Sequence, residues 1–163
     1  MPHLFDALEL HEAALDHPDA LLLVERVQAY YTSLYGAPDT GPIDPRELAP
    51  PAGRFFLGAL NGEPVLMGGW RFALEPIGMA AERPAEIKRM YTVPEYRRRG
   101  LARRLLAHLE SSARADGADA LVLETGLPQA DAVELYRSSG YTEIPRFGHY
   151  QHAPDAIHLG RML

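Results

Sequence analysis

Five arginines lie close together in residues 97–104, RRRGLARR, and no acidic residue interrupts them. An extended stretch ends just before them at Val93, and a helical apolar pattern begins at Leu101. The first amides of a helix have no internal acceptor and lie at the positive end of the helix dipole, so they bind anions. Gly100 lets a phosphate approach the backbone, and the small Ala102 keeps that approach open. The segment predicts a compact phosphate site, with a solvated basic helix face as the alternative.

Several other classes of site are excluded by the composition. The glycine spacing matches neither GxxxxGK[ST] nor GxGxxG. The formal net charge is −6, and the five arginines of residues 97–104 leave −11 for the remainder, which would repel a polyanion. No nucleic-acid partner is therefore expected. The chain has no cysteine, which excludes disulfides, thiolate metal sites and cysteine nucleophiles. His149 and His152 have no third ligand nearby in sequence, so no metal is expected.

The elements that must position these residues can be predicted from periodicity and turn residues. Segments with the pattern of strands are Phe5–Leu10, Arg54–Leu60, Glu63–Phe72, Ala85–Val93, Ala120–Glu124 and Ala156–Leu163. Segments with helical periodicity are residues 19–35, the stretch from Leu101 to Gly117, and Ala130–Ser138. Residues 36–53 are rich in proline, so they predict a loop with at most one helical turn, either a connector or a cover over a site.

The order of these elements predicts the fold class. Asn61-Gly62 suits a tight hairpin turn, which makes the first half antiparallel. Strand, helix and strand in the second half predict a parallel pair with a crossover helix. We therefore expect an α/β fold with a mixed central sheet flanked by helices, in a single domain over residues 1–163. No apolar run could span a bilayer and the N-terminus lacks the basic start of a signal peptide, so a soluble cytoplasmic protein without a membrane partner is expected.

Residues 86–106, the strand ALVLE and the segment from Gln129 to Tyr141 follow one another along the chain. Together they resemble three successive motifs of the GNAT superfamily of N-acetyltransferases. Residues 86–106, EIKRMYTVPEYRRRGLARRLL, are similar to its strand, [QR]xxGx[GA] loop and helix, with Ala102 where glycine is more frequent. The strand ALVLE follows. The segment from Gln129 to Tyr141 then resembles NxxAxxxYxxxG[FY], with Gln129 in place of asparagine. The likeness covers residues 54 to 145 well and the N-terminal third poorly.

The resemblance implies acetyl-coenzyme A as the co-substrate and no metal. Backbone groups of Tyr91, Thr92 and Val93 would pair with the pantetheine arm as an extra strand does. The pyrophosphate would lie on the amides of Arg98, Arg99, Gly100, Leu101, Ala102 and Arg103. Gln129 is a further candidate for contact with the cofactor. Because these contacts are made mainly by the backbone, they would tolerate many side chains.

Acyl transfer to an amine also requires a base. A lysine-like amine has a pKa of about 10.4, so exposing its lone pair at neutral pH costs roughly 4.6 kcal/mol. The resemblance points to Glu86, which lies fourteen residues before Gly100, the offset of the catalytic glutamate in histone-acetylating members. On an unbroken strand Glu86 would share a face with Lys88 and Met90. The alternatives are a surface carboxylate paired with a neighbouring cation and, as second candidate base, Glu124.

Tyr136 stands where many superfamily members hold the tyrosine that serves the leaving thiolate. A phenol of pKa about 10 is a weaker acid than a thiol of about 8.5, so full proton transfer is uphill by roughly 2 kcal/mol. A hydrogen bond to the developing thiolate is therefore the larger expected role. The alternative is core packing, because Tyr136 shares the apolar side of a short helix with Val133.

These observations predict an N-acetyltransferase that moves an acetyl group from acetyl-coenzyme A to a primary amine. Attack would be direct, since no cysteine exists to carry a covalent intermediate. The alternatives are a non-catalytic acyl-coenzyme A sensor or partner-binding module on the same fold, and a nucleic-acid binder that uses RRRGLARR. The acceptor is left open between a small molecule, a peptide N-terminus and a protein lysine. A homodimer is also left open.

Overall fold

The computed structural model describes residues 4–163. Within them the strands are β1 (Glu9–Glu12), β2 (Gly53–Leu60), β3 (Glu63–Phe72), β4 (Pro84–Thr92), β5 (Ala120–Gly126), β6 (Thr142–Glu143) and β7 (Ala156–Met162). The α-helices are α1 (Leu4–Ala7), α2 (Pro18–Tyr35), α3 (Leu101–Ala115) and α4 (Ala130–Ser138), and 3-10 turns lie at Pro45–Leu48 and Pro94–Tyr96. None of these described helices is long and apolar enough to cross a membrane.

The strands form one mixed sheet in the order β1-β2-β3-β4-β5-β7-β6. All neighbours are antiparallel except β4 and β5, which are parallel and are connected through α3. The β2–β3 hairpin turns at Asn61 and Gly62, whose φ angles are 51° and 81°. The predicted α/β class, the hairpin and the parallel pair with its crossover helix are all confirmed.

Helix α3 packs against the sheet through the apolar stripe that its sequence predicts. The buried residues of this helix are Leu101, Leu105, Leu106, Leu109 and Ala113. Burying one leucine stabilises a fold by about 1.5–3 kcal/mol, so the stripe holds α3 firmly in one orientation. The helix begins after Gly100, which adopts a left-handed φ of 80°. Packing of the stripe therefore fixes where the first turn of α3 and its free amides lie.

Strands β4 and β5 separate soon after they begin. Their parallel ladder pairs only Pro84–Glu86 with Ala120–Val122. Yet β4 continues to Thr92 and β5 continues to Gly126. Beyond the ladder, the edge of β4 that faces β5 carries backbone groups with no strand beside them, and such groups need other partners. The separation opens the sheet, and both cavities described below lie along it.

A β-bulge lies in the second half of β4. The register between β3 and β4 shifts there, and Arg89 has a left-handed φ of 61°, which is uncommon for a residue with a side chain. The expectation that Glu86 shares a face with Met90 required an unbroken strand, and that condition is not met. Glu86 and Lys88 keep a common face and form an ion pair, whereas Met90 lies beyond the bulge and lines a different cavity.

The N-terminal segment differs from the strand predicted at Phe5–Leu10. Leu4–Ala7 is a helical turn, and the strand follows at Glu9–Glu12, where it pairs with β2. A short alternating run fits several registers, and pairing with the partner strand selects one of them. Strand β6 was not predicted, because two residues carry too little periodicity. The loop at residues 36–53 contains one 3-10 turn, as its composition predicts.

Candidate active site

The first cavity has a volume of about 530 Å³ and lies between the end of β4, the start of α3 and the start of α4. Most of the residues predicted from the sequence to bind the cofactor line it: Tyr91, Thr92, Arg98, Gly100, Leu101, Ala102, Arg103 and Gln129. Tyr136 lines it as well. Val93 and Arg99 are not among the described residues on its wall. Residues from three elements, separated in sequence, thus meet around one space.

The loop before α3 turns its backbone toward this cavity. Arg98 and Gly100 both have left-handed φ angles, of 60° and 80°. Such alternation of backbone conformation makes successive amides converge, which forms a concave anion site. The first helical hydrogen bond runs from the Arg104 amide to the Gly100 carbonyl at 3.1 Å, so the amides of residues 101–103 precede it and have no acceptor within the helix. Together with the helix dipole, these amides can bind a phosphate.

The arginine side chains of this segment have partners within the protein. Arg98 forms an ion pair with Asp131 at 2.6 Å, although its side chain is 75% exposed. The Arg99 guanidinium lies over the Tyr96 ring, 5.5 Å from its centroid. Arg103 donates hydrogen bonds to the hydroxyls of Ser138, the last residue of α4, and Ser139, which follows it. The side chains therefore brace the loop against its surroundings, and the backbone supplies the converging donors.

The free edge of β4 contributes the second part of the first cavity. Tyr91 and Thr92 lie on the cavity wall beyond the end of the β4–β5 ladder. The Thr92 carbonyl accepts a hydrogen bond from Arg97 Nε at 3.0 Å. The Val93 amide donates to the Val65 carbonyl at 2.9 Å, so that amide is already used within the sheet. A strand-like ligand would find most of its free backbone groups before Val93.

Tyr136 lies in α4 with its side chain 5% exposed. Its ring packs edge-on against Tyr141 at a centroid distance of 5.8 Å. Burial raises the pKa of Tyr136 well above its usual range, and the nearby Tyr31 contributes a smaller rise. The phenol therefore keeps its proton at neutral pH and can serve as a hydrogen-bond donor. Core packing and a place on the cavity wall coexist at this residue.

A second cavity, of about 370 Å³, adjoins the first and shares Tyr31 and Gln129 with it. Gln129 Nε2 donates to the Tyr35 hydroxyl at 2.9 Å across this junction. The wall of the second cavity combines charged residues of β4 and β5 with the loop after α2 and the loop before β7: Asp39, Glu86, Lys88, Arg89, Glu124 and Asp155. Two spaces that join at one point can hold two reactants next to each other.

Glu86 lies on the wall of the second cavity within a buried charge network. It is 8% exposed, and its carboxylate pairs with Lys88 Nζ at 3.2 Å and with an Arg71 guanidinium nitrogen at 3.4 Å. Arg71 also pairs with Glu47, which lies in the 3-10 turn of the loop at residues 36–53. The two cations occupy both carboxylate oxygens of Glu86, Arg71 at Oε2 and Lys88 at Oε1. The predicted pairing with Lys88 is observed, and Arg89 pairs elsewhere.

Glu124 lies on the opposite side of the gap, in β5. Its Oε2 is 2.8 Å from His158 Nε2, and its side chain is 14% exposed. Among the described residues, no lysine or arginine forms an ion pair with Glu124, and its one side-chain partner is the His158 imidazole. The two strands thus present one carboxylate each to the second cavity, in different surroundings: Glu86 of β4 is held by two cations, and Glu124 of β5 is held by one imidazole.

Asp39 joins three segments around the second cavity. It forms an ion pair with Arg89 at 2.7 Å and accepts from the Tyr150 hydroxyl at 2.6 Å. Gln28 of α2 bonds to its backbone on both sides. Burial by itself would raise the pKa of Asp39, but the hydrogen bonds from Tyr150 and Gly41 and the charge of Arg89 outweigh burial and lower it. The loop after α2, the bulge of β4 and the loop before β7 are therefore held together.

Sequence reasoning missed several residues that line the second cavity or contact its lining residues. Asp39, Arg89, Arg71 and His158 belong to no local motif, and each acts through a partner distant in sequence. The only signal was the loop at residues 36–53, interpreted as either a connector or a cover. It lies against the second cavity and is tied to the sheet through both Asp39 and Glu47.

Comparison with known proteins agrees with this geometry. Residues 21–141 match the Acetyltransferase (GNAT) family. An IAA acetyltransferase of Azospirillum brasilense is 36% identical over 137 residues, which cover 84% of each chain. A candidate acyl-CoA N-acyltransferase from Klebsiella pneumoniae superposes with a TM-score of 0.77 at 27% identity, over 96% of this chain and 97% of the other. A GNAT family acetyltransferase from Elizabethkingia anophelis with acetyl-CoA bound shares the fold at 18% identity, with a TM-score of 0.64 over 97% and 99%.

The chain belongs to the Acetyltransferase (GNAT) family. The resemblance that the three sequence motifs indicated is confirmed, and so is the mixed-sheet fold that it implied. The matched region, residues 21–141, contains the converging amides, the gap between β4 and β5, and Tyr136. Membership of this family makes the chain an acetyltransferase by class.

Proposed function

We propose that the protein is an N-acetyltransferase that moves an acetyl group from acetyl-coenzyme A to a primary amine within a ternary complex. The observation that carries the proposal is the pair of cavities that adjoin at Tyr31 and Gln129, one with converging amides and the other with carboxylates. The first suits a pyrophosphate and the second suits a cationic amine. No cysteine is available as an acyl carrier, which favours direct attack.

The first cavity fits acetyl-coenzyme A in both charge and shape. The amides of residues 101–103 and the left-handed Arg98 and Gly100 offer donors to a pyrophosphate. The free edge of β4 at Tyr91 and Thr92 offers backbone groups to an extended arm, in the manner of an added strand. Bound there, acetyl-coenzyme A supplies the acetyl thioester and its thiol leaving group. The thioester end would then lie toward the junction of the two cavities at Tyr31 and Gln129.

We assign the base to Glu124 rather than to Glu86. Both oxygens of Glu86 are occupied by a pair of cations, Arg71 and Lys88, so neither oxygen is free to take a proton from the acceptor. Glu124 has no such pair and faces the same cavity. In the reaction the acceptor ammonium gives a proton to Glu124, directly or through water. The amine then forms the N–C bond, the C–S bond breaks, and the thiolate leaves with a hydrogen bond from Tyr136. The new amide nitrogen gives its remaining excess proton through water to the thiolate, so coenzyme A leaves as the thiol and Tyr136 keeps its own proton.

The charges of the second cavity favour a cationic acceptor. Its two cations are already paired, Lys88 with Glu86 and Arg89 with Asp39. The carboxylates of Glu124 and the exposed Asp155 have no such Lys or Arg partner among the described residues. An acceptor that carries its amine as an ammonium is attracted by this balance, whereas a carboxylate would be repelled. The acceptor's remaining chemistry is best found by screening.

The proposal is tested by measuring release of coenzyme A from acetyl-coenzyme A with a panel of primary amines. E124Q should lower turnover at neutral pH by about 100-fold or more, with partial recovery at high pH where the amine deprotonates itself. E86Q removes the partner of Lys88 and Arg71, so it should mainly raise the acceptor KM. Binding of acetyl-coenzyme A without turnover of any amine would favour the non-catalytic binding module instead. A larger loss of turnover in E86Q than in E124Q would return the base to Glu86.

A further inference from the structure

His158 is the most completely buried titratable side chain next to the proposed base. It lies in β7, directly opposite Glu124 of β5 in the antiparallel ladder. Its side chain is 1% exposed, and its ring packs against Phe147 at a centroid distance of 5.0 Å. Nε2 lies 2.8 Å from Glu124 Oε2 and 2.9 Å from the Phe147 carbonyl oxygen.

The contacts of the ring decide where its proton lies. The Phe147 carbonyl can only accept, so Nε2 must carry the hydrogen that both oxygens share. Nδ1 is buried and has no hydrogen-bond partner among the described residues. A hydrogen on Nδ1 would be a buried donor without an acceptor, which is costly. The ring therefore donates through Nε2, and without a partner at Nδ1 it holds a proton in place and does not pass one to solvent.

We propose that His158 is a positioning residue that fixes the Glu124 carboxylate for proton transfer from the acceptor amine. The inference rests on the proposed function, since it assigns a partner to the base named there. One carboxylate oxygen, Oε2, is occupied by His158, while Oε1 makes no hydrogen bond among the described residues. The imidazole thus holds one oxygen and leaves the other for the ammonium proton.

Other charged groups surround Glu124 and must be considered in any pH profile. Glu75, in the loop after β3, lies near Glu124 on the other side of Gly148. If Gly148 carried a Cβ atom, that atom would lie 4.0 Å from Glu75 Oε1 and 4.0 Å from Glu124 Oε2. The Gly148 amide binds Glu75 at 2.7 Å. The further titratable groups on the wall of the second cavity are Tyr31, Tyr35, Asp39, Glu86, Lys88, Arg89, Tyr150 and Asp155.

The experiment compares H158Q with H158F. Glutamine places an amide nitrogen near the position of Nε2 and keeps N–H donors, whereas phenylalanine keeps the ring and removes the donor. With the best amine of the screen, H158F should lower kcat by about 10- to 100-fold at neutral pH and move the acid limb of kcat/KM to higher pH. H158Q should keep most of the wild-type kcat and most of the wild-type pH profile. The Kd of acetyl-coenzyme A should not change in either variant.

A double-mutant cycle separates positioning from packing. In an E124Q background, H158F should cause little further loss of kcat, because the group that it positions is already neutral. An undiminished loss in E124Q, or equal activity in H158Q and H158F, would overturn the proposal. If H158F does not fold, NMR of nitrogen-labelled histidine in the wild-type protein, assigned with H158Q, gives a second reading. The Nε2–H tautomer is expected, and an Nδ1–H tautomer would overturn the geometry.

These outcomes can be told apart from failure of the proposed function. An enzyme that binds acetyl-coenzyme A but transfers acetyl to no amine contradicts the function itself. Wild-type turnover that E124Q leaves unchanged contradicts the assignment of the base, and the role of His158 with it. Turnover that depends on Glu124 but not on the donor at His158 contradicts only the inference drawn here.

Discussion

In the first cavity the groups available to a ligand are backbone amides, whereas in the second they are side chains held in ion pairs. The loop before α3 gains its anion site from two left-handed residues and a helix start. The second cavity gains its shape from pairs such as Asp39–Arg89 and Glu86–Lys88, which join different segments. The two cavities adjoin at Tyr31 and Gln129, so a single reaction can depend on both kinds of construction.

The difference predicts how each cavity responds to mutation. A backbone donor survives most side-chain changes but not a change of backbone conformation. An ion pair is broken when either partner is replaced, and the remaining charged side chain is then buried without an opposite charge. We therefore expect the cofactor side to be sensitive at one glycine and tolerant at its arginines. The acceptor side should be sensitive at many of its charged residues.

The largest effect is expected at Gly100. G100V adds a branched side chain at a φ of 80°, which disturbs the turn that makes the amides converge. The Kd of acetyl-coenzyme A should rise by about 100-fold or more, as measured by calorimetry. G62V is the matched control, because Gly62 has a φ of 81° in the β2–β3 hairpin. Both variants should lose stability to a similar extent, and a similar loss of binding in both would contradict the role of the loop.

Tyr136 comes next, because its proposed role is in the reaction and not in the binding of the ground state. Y136F should lower kcat by about 10- to 100-fold without changing the Kd of acetyl-coenzyme A. Burial raises the pKa of Tyr136, so the phenol stays protonated and its ionisation causes no loss of activity up to at least its ordinary value of 10.0. The defect of Y136F should therefore persist across the pH range. It should shrink when the acyl donor is a thioester whose thiol leaves more easily than coenzyme A.

Tyr141 provides the control for that variant. It is buried, packs edge-on against Tyr136 and lines neither cavity. Y141F should therefore leave kcat nearly unchanged, although it removes the same hydroxyl from a similar environment. Near wild-type turnover of Y136F would assign Tyr136 to the core alone.

Asp39 tests the acceptor side. D39N removes the charge that pairs with Arg89, so the acceptor KM should rise by about 5- to 10-fold while the Kd of acetyl-coenzyme A is unchanged. The pKa of Asp39 is lowered in the folded state, so its carboxylate stabilises the fold above its ordinary pKa of 3.8 and loses that contribution as the pH falls through the folded value. The stability advantage of wild type over D39N should therefore shrink below about pH 4. Denaturant unfolding across pH, with the exposed Asp16→Asn as control, measures this.

The smallest effect is expected at Arg98. R98A removes one exposed charge and its ion pair with Asp131 but leaves a residue that can still donate its amide. The Kd of acetyl-coenzyme A should rise by only about 2- to 5-fold, and the difference should fade at high salt. R114A, at the other end of α3, controls for net charge. A loss with R98A as large as that with G100V would mean that side chains, and not amides, bind the phosphate.

The proposed base illustrates where the sequence was insufficient. The offset from Gly100 points to Glu86, but that offset carries no information about Arg71 on β3 or about the bulge at Arg89. Only the folded sheet brings two cations to Glu86 and a buried imidazole to Glu124. The choice between the two carboxylates depends on these neighbours, and it stays a prediction until the variants are measured.

The sequence by itself determined the mixed fold, the crossover helix and the family, because each depends on residues close together in the chain. Helix periodicity, the Asn61-Gly62 turn and the loop before α3 are local features that a short segment specifies. The charged wall of the second cavity, by contrast, was decided by the tertiary structure alone. Its pairs join Asp39 to Tyr150 across 111 residues, Asp39 to Arg89 across 50, and Glu124 to His158 across 34. Such contacts form only when the sheet and its loops have packed, so no local pattern can encode them.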